Sequence, residues 1–114
     1  MLVEIRAYRL RPGTWPEFCR LFNDAALPLL DRHRVDVIAF GASLEEPDSA
    51  FLVRAFADPE DRIRTEDAFY SSPEWRQGPR EPILACIETY VDTVVALDDA
   101  TVDGLRRIGI ATAT

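Results

Sequence analysis

Arg6 and Tyr8 stand two residues apart in a stretch, residues 2–10, that sets Val3, Ile5 and Ala7 against Glu4, Arg6 and Tyr8. Successive side chains of a strand leave opposite faces, so a guanidinium and a phenol share one face here. Arg54 lies in a second strand-forming stretch and is placed to join them across a sheet. Two planar guanidinium forks and a hydroxyl suit a carboxylate, an enolate, or an oxyanion that develops during enolisation or cyclisation. The same arginines would equally serve as ion-pair partners for Glu4, Glu88 or the acids of a partner subunit, because arginine is common in interfaces.

His33 is the single histidine, at the end of the first helical stretch, where it is placed to act as a base or proton shuttle. A helix C-terminus also favours a cationic histidine for its own sake. Trp75, Phe69 and Tyr70 cluster before the last strand and would form the apolar wall of a cleft for a flat organic ligand, or pack as ordinary core. Glu60, Asp61, Glu66 and Asp67 fall on a helix whose charges read as a solvated face, so no metal site is assigned to them. Cys19 and Cys86 have neither metal-ligand spacing nor company, and read as reduced core thiols.

The elements that must position these groups follow from periodicity and punctuation. Arg11-Pro12-Gly13 ends the first strand, and Thr14 with Glu17 has capping-box spacing for a helix. Phe18, Leu21, Phe22, Ala25 and Leu29 make its apolar stripe, and Pro28 is expected to bend it before His33. Residues 35–44 and 51–56 form an antiparallel hairpin around the polar linker at 45–49. Asp58-Pro59 and Ser72-Pro73 each open a helix, the second carrying Trp75 up to Gly78-Pro79, and Pro82 allows further helical turns. β-Branched and aromatic residues then predict a last strand over 89–97. The order β, α, β, β, α, β is that of an α+β, ferredoxin-like domain with an antiparallel four-stranded sheet. Helices cover one sheet face, which leaves the other to be covered by a second copy. Residues 98–114 are a weakly patterned tail with one helical turn near Val102 and Leu105 and a loose Thr-Ala-Thr end.

Composition narrows the function classes. A chain of 114 residues encloses one core. Its net charge of -7 repels nucleic acid and anionic membranes. All thirteen basic residues are arginine, which rules out lysine Schiff-base chemistry. No nucleophile elbow, phosphate loop or nucleotide fingerprint appears. With no apolar run of about 20 residues and no basic-then-apolar leader, a cytoplasmic location is expected.

The opening Glu4-Ile5-Arg6-Ala7-Tyr8 and Arg11-Pro12-Gly13-Thr14, then Ala55-Phe56-Ala57-Asp58 with Asp61-Arg62, and finally Ser72-Pro73-Glu74-Trp75, resemble the NIPSNAP family over about residues 2–97. The resemblance implies a dimeric α/β barrel, an architecture shared with metal-free monooxygenases, polyketide cyclases, lactone isomerases and haem-handling proteins. It copies no catalytic residue, because the family has no agreed reaction, and Arg6, Tyr8 and Trp75 match its motif most closely. The expectation is a homodimer of residues 1–97 with a tail at 98–114. It binds a small aromatic or polyketide-like molecule and acts on it without cofactor or metal, by proton transfer, cyclisation, isomerisation or oxygenation. Arg6 and Arg54 would stabilise negative charge, Tyr8 and His33 would move a proton, and Trp75, Phe69 and Tyr70 would hold the ligand. A non-catalytic ligand-binding or interaction dimer is the alternative.

Overall fold

The computed structural model describes residues 1–112. Four strands, β1 (Leu2–Leu10), β2 (Asp36–Ala42), β3 (Ser49–Phe56) and β4 (Ile87–Ala96), form one antiparallel sheet in the order β2-β3-β1-β4. This is the ferredoxin-like α+β topology expected from the sequence. Tyr8 faces Tyr90 and Arg6 faces Asp92 across β1 and β4, while Glu4 faces Arg54 across β1 and β3. One set of alternate residues from three strands thereby meets on a single face.

Helices α1 (Trp15–Leu21) and α2 (Leu27–Arg32) are joined by a π-helical turn at Phe22–Ala26. Pro28 has no N–H to donate, and the wider turn before it lets the helix run on without a break. Thr14 does not cap α1 through its side chain; its hydroxyl donates instead to the carbonyls of Arg11 at 2.7 Å and Cys86 at 3.2 Å, which ties the helix start to the segment before β4. The apolar stripe packs as expected, with Phe22 stacked on Phe40 at 3.8 Å between ring centroids. Helices α3 (Pro59–Tyr70), α4 (Pro73–Gln77) and α5 (Arg80–Cys86) complete this layer. Asp58 caps α3 by accepting from Asp61 N–H at 2.7 Å, and Ser72 caps α4 through Trp75 N–H. Cys19 and Cys86 are buried and unpaired.

The tail departs from its weak pattern. Asp98 accepts from Thr101 N–H and starts α6 (Asp99–Leu105), whose Val102 is buried against Val3, Ile38, Val53 and Ala55 on the second sheet face. Positive φ at Gly109 then turns the chain along β2, where Phe40 N–H donates to Gly109 O and Ala111 N–H to Phe40 O. The tail thus covers part of the face left open by the other helices and blunts one sheet edge. The expected loose Thr-Ala-Thr end spans residues 112–114, of which 113 and 114 lie outside the described residues. Among the described residues no helix is long and apolar enough to cross a membrane.

Candidate functional site

Strand alternation puts Glu4, Arg6 and Tyr8 on the helix-covered face, so the polar set is buried and Ala7 and Val91 look out from the opposite side. A buried polar layer is stable only if its groups satisfy one another. Arg54, 1% exposed, donates to Glu4 through Nε at 2.9 Å and through a second, shorter contact, to Glu66 at 2.9 Å, and to the Tyr70 hydroxyl at 2.9 Å. Arg62 donates to the other Glu4 oxygen at 2.8 Å. Arg6 grips Asp92 with two hydrogen bonds of 2.7 and 3.0 Å and donates to the Tyr70 hydroxyl at 3.2 Å. Three arginines and three acids therefore form one lattice, neutral when Glu66 is ionised, and among the described residues no buried side-chain polar atom lacks a partner. With two guanidinium donors on its oxygen, Tyr70 has only its own proton left to offer.

Above this lattice lies a cleft of about 500 Å³ between the β1–β4 edge and α3 to α5. Arg6, Tyr8 and Tyr90 form its floor, with the Arg6 guanidinium 4.3 Å from the Tyr90 ring centre. Arg62, Glu66 and Tyr70 come from α3, Trp75 and Arg76 from α4, and Arg80, Ile83 and Leu84 from α5. Glu66 is the only carboxylate in this lining. Its burial, with Glu4 alongside, pushes it up to about 7. Burial would also raise Glu4, but the proton shared by Glu66 and the charges and hydrogen bonds of Arg54 and Arg62 outweigh it and hold Glu4 well below the usual carboxylate range. Burial, reinforced by Tyr70, raises the Tyr8 phenol above the ordinary tyrosine range, so at neutral pH Tyr8 is a hydrogen-bond donor and not a base.

The fold thus brings Arg6, Tyr8, Tyr70 and Trp75 to one cleft and keeps three other residues singled out in the sequence away from it. Arg54 lies a layer below, consumed by Glu4, Glu66 and Tyr70. Phe69 lies behind the wall and lines a small inner void of about 30 Å³. His33 is edge-on to the far side of Phe69, at 5.4 Å between ring centres, with Nε2 at 3.4 Å from Glu74, outside the lining. Glu60 and Asp67 are exposed as expected, but Glu66 is not: its side chain is 14% exposed because α3 turns it toward Arg54 and Arg62. The sequence carried only part of this, since Arg62, Glu66, Phe69 and Tyr70 follow helical spacing and so share one face of α3, with no apolar stripe to mark that face as the inner one. Tyr90 and Asp92 were legible in the same way, as one alternating face of β4. Among the described residues no three His, Cys, Asp or Glu side chains converge as metal ligands would.

The NIPSNAP family profile matches residues 3–94, which span β1 through most of β4 and every residue lining the cleft. The chain belongs to the NIPSNAP family. An uncharacterized NIPSNAP domain protein from Burkholderia xenovorans superposes with a TM-score of 0.77 at 23% identity, covering 87% of this chain and 96% of that one. A NIPSNAP family protein from Agrobacterium tumefaciens gives 0.78 at 18% identity, covering 86% and 93%. An antibiotic biosynthesis monooxygenase-like protein from Bacteroides thetaiotaomicron gives 0.59 at 14% identity, covering 84% and 88%, a likeness of fold alone. No curated protein gives a significant match. The tail from residue 98 lies beyond the NIPSNAP match.

Proposed function

We propose that this NIPSNAP protein is a homodimeric, cofactor-free tailoring enzyme that moves a proton on a small enolisable aromatic or polyketide-like molecule held in the cleft. The observation that carries this reading is Glu66: one carboxylate, half-buried so that it changes protonation near neutral pH, lining the same space as Tyr8 and Tyr70. A general base works best when its pKa lies near the working pH. In this reading Glu66 takes a proton from the carbon beside a ligand carbonyl. The electron pair moves onto the carbonyl oxygen, where the tyrosine hydroxyls donate to the developing enolate. Return of the proton to the same carbon gives exchange, and to another carbon gives isomerisation. Arg6 acts through Tyr70, whose hydroxyl it orients and polarises. His33, beyond Phe69, has no part in it. Support for the dimer comes from the sheet face that α6 leaves open, where Val91 is 61% exposed beside exposed Ala7 and Thr93.

4-Acetylbenzoate in deuterium oxide, followed by NMR at its acetyl methyl group, tests the chemistry. Exchange accelerated by the protein and lost in Glu66→Gln is expected. Bound 4-acetylbenzoate that exchanges no faster than in buffer would overturn the reading.

A further inference from the structure

Four arginines line the cleft of a protein whose net charge is -7, and they are not equivalent. Arg6 and Arg62 are neutralised by Asp92, Glu4 and Glu66. Arg76 forms no ion pair with any described residue, and Arg80 meets only Glu81, its neighbour in sequence, in a contact whose side chains are 42% and 77% exposed. A pair so exposed is screened by water and yields readily to a better partner. Arg76 and the weakly held Arg80 flank the turn between α4 and α5, and both line the cleft at this outer lip. At Gly78 in that turn, an added Cβ would lie 2.4 Å from the Glu74 carbonyl oxygen, so only glycine allows the chain to fold back this closely. Between the lip and the Tyr8 floor, Trp75, Ile83, Leu84 and Ile87 supply an apolar wall.

We infer that the cleft takes a flat aromatic carboxylate, its carboxylate held at the lip by Arg76 and Arg80 and its ring lying inward on Trp75. This rests on the cleft being the ligand site, and it names the class of substrate. A planar fork matches a carboxylate bidentately. The position also orients the ligand, because the anionic end bound at the lip leaves the opposite end of the ring beside Glu66, Tyr8 and Tyr70. With Glu66 ionised, the buried lattice is charge-neutral and has no cation to spare for a second anionic group, so the ligand carries its charge at one end.

Calorimetric titration with 2-naphthoate, 2-naphthamide and 2-naphthyl phosphate tests this, using probes that cannot enolise. The wild type should bind the carboxylate at least about tenfold more tightly than the neutral amide, as charge-assisted hydrogen bonds require. In Arg76→Gln/Arg80→Gln that preference should collapse while amide binding stays the same. Both residues lie at the surface, and an unchanged melting temperature would show the variant folded. Equal binding of carboxylate and amide by the wild type, or a preference that survives the double substitution, overturns the assignment. Much tighter binding of the phosphate overturns the choice of carboxylate. Glu66→Gln should still bind 2-naphthoate, so this inference stands or falls separately from the proton-transfer chemistry.

Discussion

Arg54→Met should be among the most damaging single changes in the molecule, although no ligand need touch Arg54. The side chain is 1% exposed, and its removal leaves Glu4, itself 0% exposed, with Arg62 as its remaining guanidinium partner. Breaking a buried ion pair by deleting one member costs about 3–5 kcal/mol, because the survivor keeps its desolvation penalty and loses its compensation. Unfolding entropy near 60 °C is about 2.1 cal/mol/K per residue, or roughly 240 cal/mol/K for 114 residues, so each kcal/mol moves Tm by about 4 °C. A fall of about 12–20 °C is expected by circular dichroism. Glu4→Gln/Arg54→Met removes both charges together and should lose less than the sum of the two single changes, by more than about 1 kcal/mol. A single variant within about 3 °C of wild type, or strict additivity in the cycle, would refute the lattice as a coupled unit.

Glu66 gives a pH signature. Its folded pKa is raised from 4.5 to about 7, so its contribution to stability is full below about 4.5 and is lost as pH rises through 7. Between pH 5 and 8 the wild type should lose on the order of 3 kcal/mol relative to Glu66→Gln, which mimics the protonated acid; a difference that stays flat with pH would place Glu66 in water. Sedimentation at micromolar concentration should show a dimer, and a 12.9 kDa monomer there would count against the barrel assembly.

The α3 helix shows where reading from sequence stops. Its charges at Glu60, Asp61, Glu66 and Asp67 look alike in one dimension, and a charged helix is usually a solvated one. Only Phe69 is buried among its apolar residues, so no strong apolar stripe marks an inner face. What separates Glu66 from Asp67 is the approach of β1 and β3, which places Arg54 2.9 Å from one and leaves the other in water. The tail is similar: two large apolar residues in α6, Val102 and Leu105, are too few to announce a packed helix, and Val102 is buried only because β1, β2 and β3 form an apolar surface for it.

By itself the sequence determined the order of elements, the hairpin, the caps at Asp58 and Ser72, the common face of Arg6 and Tyr8, and the family, because these depend on spacing along the chain and on local backbone chemistry. Tertiary structure decided which face of β1 is covered, and with it that Arg6 and Arg54 are held by Asp92 and Glu4. It also decided that Glu66 belongs to the cleft and His33 does not. Those distinctions depend on distances between residues 12 to 86 positions apart, and on the burial that follows from them, neither of which is written in any local pattern.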